Sequence, residues 1–524
     1  MSGFKYKRIK IIQMKLLNKY SLSFTMVALL LLGLSSCQDN LDELAENRTF
    51  NDEIDYSISG NMVLPLIGTY AGFYSRGWET IPLIAVRGDD VNAGGLGDQQ
   101  DFDATDHFVY NKDYWMYNSL WQLNYSDIYT GKTAIQQIEL YREAGAPSNL
   151  ADQYIAEVKT LNAFLLFHLS RVWGDILIPN TGDPADLLVA ELSTKDQVMQ
   201  YISTQIDEAL PALSTIHPAD RTDVPGGVNR YTALAIKAMA EQELGNYQAV
   251  ANATGEIINS GVYQLEPDFY ELFKLKGKLN RENLLELQYS DYGQGSGDQN
   301  AHLFAFYGPQ SWEPAVAGIG SGWGFFEPSF KYIKFMLDRG ETVRLETSVL
   351  FTDRGIAELQ QDPNYATLPD FVSNTTRDGD VINDYARAKF ASGKHYLPSN
   401  QMTPGRTAYG NNKNYTCIRY AEILLMHAEA LVRGATSSSI SADEAVKMVR
   451  TRVNMPEITG VTLQNVVDEK FAEMAMEWGV RYYDLIRWEK YEELNYDDRV
   501  FTTDKIFMPY PQAQVDQLPA LDKP

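Results

Sequence analysis

Three tryptophans stand outside any helical apolar pattern. Trp78 lies in Arg76-Gly77-Trp78-Glu79, Trp312 in Gln310-Ser311-Trp312-Glu313, and Trp323 in Gly322-Trp323-Gly324-Phe325-Phe326. Glycine or polar residues flank each of them. An indole held in such a setting offers a flat face that suits the C–H face of a sugar ring, while nearby amides and carboxylates take the hydroxyls. Sites of that kind are concave, with a few convergent polar groups. The polar candidates are Asp89, Asp90, Asn92, Gln99 and Gln100, within the acid- and glycine-rich stretch Gly88–Asp106. Each of the three indoles is equally compatible with packing inside its own loop. The oxygen-rich stretch would also suit Ca²⁺, but it lacks EF-hand spacing and reads more simply as a solvated loop. No cofactor is expected.

The six histidines (His107, His168, His217, His302, His395 and His427) are far apart and form neither HExxH nor His-x-His. Of the two cysteines, Cys417 precedes a helical pattern and reads as a buried, inert thiol. There is no Gly-x-Ser-x-Gly elbow and no Walker loop. Paired carboxylates for glycoside hydrolysis are defined in space rather than in sequence, and nothing among the 69 acids selects a pair. The expectation is a protein that binds rather than catalyses. With 45 Lys+Arg against 69 Asp+Glu and a net charge of −24, the surface would repel a phosphate backbone, which excludes a nucleic-acid binder.

The first residues are a targeting segment. Lys5, Lys7, Arg8, Lys10, Lys15 and Lys19 precede the apolar run Leu22–Leu34. That run is shorter than the roughly 20 residues a membrane-spanning helix needs, so it reads as the h-region of a signal peptide. Met14 would open a more typical signal than Met1. Leu34-Ser35-Ser36-Cys37 resembles the bacterial lipobox, in which the cysteine is lipidated and becomes the mature N-terminus. The acids Asp39, Asp42 and Glu43 that follow resemble the signal that sends Bacteroidetes lipoproteins to the outer face of the outer membrane. Residues 1–37 are therefore expected to be a lipoprotein signal ending in the lipidated Cys37, with acyl chains holding the mature chain at the membrane.

The rest must position the candidate site, and it is mostly helical. Apolar residues recur at helical spacing over Leu120–Arg142, and again from Ile155 to Val172, ending at Trp173-Gly174-Asp175. The pattern continues over Val198–Leu213, Thr232–Leu244 and Tyr247–Ser260. The last two form an Ala-rich hairpin across Gly245-Asn246, with a tetratricopeptide-like texture. From about 262 to 414 glycine clusters, prolines and aromatics replace the period. Helix returns at Arg419–Arg433, Asp443–Val453 and Thr462–Trp488. The predicted fold is one mostly α domain over 38–524. Its helical-hairpin scaffold, about 50–261 and 415–524, carries a loop-rich, ligand-binding insertion at about 262–414. Loops on a rigid scaffold are where binding residues usually lie.

Several of these segments resemble the SusD/RagB family of nutrient-binding outer-membrane lipoproteins. Trp173-Gly174-Asp175-Ile176 matches the family's stop after a long helix, with Pro179 two positions later than usual. Arg419-Tyr420-Ala421-Glu422 and the run Glu477-Trp478-Gly479-Val480-Arg481 through Trp488 match its helical motifs. Pro509-Tyr510-Pro511 matches its terminal Pro-x-Pro. Glu469-Lys470 departs from the usual acidic–Arg pair and puts one salt bridge in doubt. The resemblance implies a cell-surface glycan binder that captures oligo- or polysaccharide and delivers it to a SusC-like TonB-dependent transporter. Its ligand aromatics would come from an early loop and from the insertion. A binder of peptides or other host-derived nutrients, serving the same kind of importer, is the alternative. The charged motif residues Glu422, Glu429, Glu477, Arg481 and Arg487 sit on apolar helices, where charge is tolerated when paired. They read as packing residues, and Trp173, Trp478 and Trp488 as core aromatics with satisfied N–H groups.

Overall fold

The computed structural model describes residues 54–74, 86–93, 100–290, 303–403 and 411–522. Cys37, Trp78 and Gln99 lie outside the described residues. The chain divides into two compact units, Met1–Tyr56 and Ser57–Pro524, and every element below belongs to the second.

The fold is mostly helical. Its scaffold helices are α1 (Val63–Tyr74), α2 (Trp115–Glu143), α3 (Ser148–Trp173), α4 (Lys195–Ala209), α5 (Arg230–Glu243), α6 (Tyr247–Ser260), α7 (Tyr420–Val432), α8 (Ala442–Arg452), α9 (Leu463–Met474) and α10 (Val480–Arg487). Each is started by local chemistry where it matters. Thr194 with Gln197, Asn229 with Thr232 and Thr462 with Asn465 form reciprocal capping boxes at α4, α5 and α9. Gly174 ends α3 at φ 76°, a conformation that favours glycine. A side chain there would also press on the Phe507 ring, 3.1 Å from an added Cβ.

Packing runs helix to helix. α1 lies on α2, and α2 to α6 stack in chain order. The array then crosses more than 150 residues of sequence, because α6 packs on α7, and α7 on both α8 and α9. The fully buried alanines Ala233, Ala235, Ala238 and Ala240 of α5 let these helices approach closely. The two halves of the scaffold therefore share one core.

The insertion enters and leaves through an antiparallel strand pair, Asn283–Leu287 with Tyr415–Arg419. Within it, Val349–Phe351 pairs with Phe390–Ser392 and Trp312–Glu313 with Val381–Ile382. A further pair joins Val91–Ala93 of the early loop to Phe326–Pro328, in the register Val91↔Pro328, Asn92↔Glu327, Ala93↔Phe326. This last pair ties the two regions expected to supply ligand contacts.

The expected single helix Thr462–Trp488 is two helices. Residues 475–479 break it, and Met476, Trp478 and Gly479 adopt φ of 63°, 48° and 69°. The apolar period continues through the break, so periodicity could not reveal it. What holds the break is side-chain chemistry from distant segments. Met476 N–H donates to Asp90 Oδ2 at 2.6 Å, and Trp478 N–H to the Tyr415 hydroxyl at 3.0 Å. Lys394 Nζ donates to the Glu473 and Ala475 carbonyls at 2.8 and 3.0 Å. Backbone groups freed from the helix are thus repaired, as a buried break requires.

Around the break lies a buried ion network. Arg419 reaches Glu282 at 2.9 Å, Glu477 at 2.8 Å and Glu473. Arg344 reaches Glu469 at 2.7 Å, Glu473 at 3.2 Å and Glu341. Arg450 meets Glu469 at 2.7 Å and Arg452 meets Glu282 at 2.8 Å. Burial alone would raise these carboxyls, but the arginines hold Glu469, Glu473 and Glu477 below the usual range. Of the charged motif residues, Glu429 pairs with Arg487, and Arg481 with Asp89. Lys470, the departure from the family pattern, pairs with Asp484 at 2.5 Å, so lysine makes a bridge there. Glu422 is the exception. It has no ion pair among the described residues, and burial pushes its carboxyl up to about 7 despite nearby Lys470.

Candidate functional site

A cavity of about 440 Å³ opens where the early segment, the start of α2 and the insertion meet. Its walls are aromatic, from Phe102, Tyr114, Trp115, Phe306, Trp323 and Phe325. Its polar groups are Gln100, Asp101, Gln310 and Arg387. Each wall has a local cause.

The short helix Gln100–Asp106 turns Phe102 inward, where it packs edge-on against Phe306 and Phe326 at 5.9 and 5.1 Å. Gln100 stays exposed at its start. Asp101 accepts from Asn111 Nδ2 at 3.2 Å. Tyr114 precedes α2 in extended conformation and is buried against Phe102 and Tyr117, at 6.1 and 5.3 Å. With Tyr114 inside, the next residue, Trp115, is turned outward and is 55% exposed. An indole that open in a protein with many buried aromatics is the feature to explain.

Trp323 is set by backbone lacing. Trp323 N–H donates to the Ala305 carbonyl at 2.6 Å, Gly324 N–H to Gly308 at 3.0 Å, and Phe325 N–H to Phe306 at 2.8 Å. Gly322 permits this approach, since a Cβ there would stand 2.5 Å from the Phe304 carbonyl oxygen. The half-buried Trp323 ring then rests edge-on against Phe306 at 5.4 Å and tilted against Phe325 at 5.2 Å. Arg387 lies over the opposite part of this cluster, its Cζ 4.6 Å from the Phe325 centroid. The cavity thus joins an aromatic cluster, the exposed Trp115 and half-buried Trp323 indoles, two amides, one carboxylate and one guanidinium. It suits a flat, hydroxyl-bearing ring.

Of the residues singled out by sequence, the structure brings Gln100 and Trp323 together at this cavity. Four others belong elsewhere. Trp312 is 9% exposed and faces the insertion's core, with Phe304 and Tyr396 at 6.0 and 6.1 Å. Its polar neighbours in sequence concealed that the strand pairing turns its ring inward. Asp89 is fully buried, holding Arg481 at 2.6 Å and Lys331 at 2.8 Å. Burial would raise its carboxyl, but these cations bring it below the ordinary range. Asp90 is buried beneath the helix break, and burial pushes it up to about 6. Asn92 Oδ1 accepts from Tyr496 and Arg499 at 2.7 and 2.9 Å, which fixes it as a loop anchor. Asp89, Asp90 and Asn92 share one reason: each is taken up by groups distant in sequence, Arg481 and Lys331 for Asp89, the Met476 N–H for Asp90, and Tyr496 with Arg499 for Asn92. Among the described residues no group of three or more His, Cys, Asp or Glu side chains could hold a metal ion. Sequence reasoning missed Trp115, Gln310 and Arg387. Trp115 carries no local signal, because its direct neighbours are Tyr114 and Met116 and not the glycine or polar residues that flank the three chosen indoles.

No helix among the described residues is long and apolar enough to cross a membrane. Comparison with known proteins agrees with the geometry. The SusD family's sequence profile matches residues 281–517. SusD-like protein P2 of Formosa agariphila is 24% identical over 496 residues, 90% of this chain and 91% of that one. A SusD-like protein of Bacteroides ovatus is 21% identical over 407 residues, 74% of this chain and 69% of the relative. Among solved structures, a laminarin-binding SusD-like protein superposes with a TM-score of 0.72 at 22% identity, covering 87% of this chain and 97% of its own. Surface glycan-binding protein A from Bacteroides thetaiotaomicron, in complex with laminarihexaose, gives 0.71 at 22% identity over 88% and 98%. Profile, relatives and fold all support the resemblance to the SusD/RagB family that the sequence motifs carry.

Proposed function

We propose that this protein is a non-catalytic, lipid-anchored outer-membrane glycan-binding protein that captures an oligo- or polysaccharide and passes it to a SusC-like TonB-dependent transporter. The observation that carries the reading is the pair of accessible indoles, Trp115 from the scaffold and Trp323 from the insertion, over one aromatic floor. Sugar rings would stack on these faces, and Gln100, Asp101, Gln310 and Arg387 would take hydroxyls. A preformed site needs little ordering on binding, which favours affinity. The names of the related proteins, laminarin-binding and laminarihexaose-bound, support a carbohydrate over a peptide.

Binding without cleavage fits the inventory. Among the described residues lining the cavity, Asp101 is the one carboxylic acid, and glycoside hydrolysis ordinarily takes a pair. The anchor at Cys37 and the transporter partner rest on the lipobox and on the family resemblance. A native gel series cast with laminarin, xylan, mannan or starch tests ligand class directly. Retardation in at least one polysaccharide, with no release of reducing ends, is expected. Binding only to a peptide mixture, or steady release of reducing ends by stringently purified protein, would replace this reading.

A further inference from the structure

We propose that Arg499, far from the cavity in sequence, is a positioning residue for the cavity's early wall; its bearing on glycan affinity rests on the function proposed above. The wall is the short helix Gln100–Asp106, which carries Gln100, Asp101 and Phe102, and it is reached through Gly88–Ala93. One guanidinium holds both. Arg499 Nη1 donates to the Gly88 carbonyl at 3.0 Å, and Nη2 to the Val91 carbonyl and Asn92 Oδ1, each at 2.9 Å. The same Nη2 lies 2.7 Å from the Asp106 carboxylate at the far end of the helix. That carboxylate also accepts from Ala93 N–H at 2.9 Å. Tyr496 backs the clamp, its ring centroid 4.4 Å from the Arg499 Cζ and its hydroxyl 3.2 Å from the Val91 carbonyl.

The clamp comes from the chain segment after α10, where consecutive non-glycine residues Asp497 and Asp498 adopt φ of 54° and 64°. That turn leaves Val500 72% exposed while Arg499 is 4% exposed. Backbone strain of this kind persists where the surroundings impose it. A planar guanidinium can serve several in-plane acceptors at once, which a lysine ammonium at the same place cannot reproduce.

The experiment compares Arg499→Lys and Asp106→Asn with Arg344→Lys, a buried arginine of the ion network whose loss destabilises without touching this wall. Hydrogen exchange is followed in unliganded chain over peptides covering 86–93 and 100–106, and laminarihexaose affinity is measured by calorimetry. Arg499→Lys is expected to speed exchange at least tenfold in both peptides. Asp106→Asn should do so mainly in 100–106, and Arg344→Lys should leave both near wild type relative to its own core. Laminarihexaose binding should weaken about tenfold in Arg499→Lys. Exchange unchanged in both peptides, or increased no more than in Arg344→Lys, overturns the clamp. Increased exchange with undiminished affinity overturns its bearing on binding. If the wild type does not bind laminarihexaose, the function reading fails for that sugar, and the exchange result alone decides whether Arg499 holds the wall.

Discussion

The indole Nε1 of Trp173 donates to the carbonyl of Pro509 at 3.1 Å, across 336 residues of sequence. Two motifs that look independent in sequence, the stop after α3 and the terminal Pro-Tyr-Pro, are therefore one structural feature. Met508 N–H donates to the Val172 carbonyl at 2.9 Å, and the Tyr510 hydroxyl to the Asp175 carbonyl at 2.8 Å. Trp121 packs edge-on against both Trp173 and Tyr510, at 5.1 and 5.8 Å. The C-terminal segment is thereby pinned to the scaffold.

Trp173→Phe keeps most of the ring but leaves the Pro509 carbonyl without its donor. Losing a hydrogen bond at this half-buried carbonyl costs about 0.5–1.5 kcal/mol. The expected result is a lower denaturant midpoint and faster hydrogen exchange over residues 503–515. Unchanged exchange there would mean that the neighbouring bonds alone hold the segment.

The buried acids make a second prediction, with opposing signs. Glu469, Glu473 and Glu477 are held low by arginines against the cost of burial, so their contribution is present above the unfolded carboxylate pKa and is lost as pH falls below it. Glu286 and Glu422 are pushed up to about 7 by burial. For them the contribution is present below the unfolded value of about 4.5 and is lost as pH rises to about 7. Stability should therefore peak at mildly acidic pH and decline toward pH 8. Glu422→Gln should remove on the order of 2–3 kcal/mol of that decline. Urea unfolding at pH 5 and pH 8, on wild type and variant, checks it. A wild type at least as stable at pH 8, or a variant with the same decline, contradicts the assignment.

Much of this architecture was legible because helices advertise themselves. The ends of α5, α6 and α7 and the C-terminal end of α3 fall within a few residues of the periodic runs, and the Ala-rich hairpin reads directly. The helix break at 475–479 was hidden because its determinants, Asp90, Lys394 and Tyr415, come from three distant segments. The site was half legible for the same reason. Trp323 carries its own signal, since flanking glycines permit backbone lacing. Asp89 and Asp90 resemble ligand-seeking acids until Arg481 and Lys331 are placed beside the first and the Met476 N–H beside the second. Trp312 and Trp115 exchange roles: the one with the loop-like sequence is inside, and the one leading a helix is outside, because Tyr114 takes the inward position.

That exchange is testable. Trp312→Ala removes a ring packed among Phe304, Ile382 and Tyr396 and should cost about 3–5 kcal/mol. Its melting temperature should fall by several degrees, while glycan affinity measured well below that temperature stays near wild type. Lost affinity in a protein that melts normally would return Trp312 to the binding surface.

The proposed anchor is Cys37. Cys37→Ala should abolish incorporation of a labelled acyl chain and release or strand the protein as an uncleaved precursor. Recovery of labelled variant in the outer-membrane fraction would place the anchor elsewhere.

In the proposed function Trp115 and Trp323 form the binding platform. The direct test is the affinity of Trp115→Ala and Trp323→Ala for whichever polysaccharide most retards the wild type, measured alongside thermal unfolding. Aromatic stacking on flat rings is worth roughly 1–3 kcal/mol by analogy with nucleic-acid bases. Each variant should therefore bind about 5- to 150-fold more weakly. Trp115, which is 55% exposed, should show almost no change in melting. If both variants bind as wild type does, or lose affinity only in proportion to lost folding, the platform is not the site.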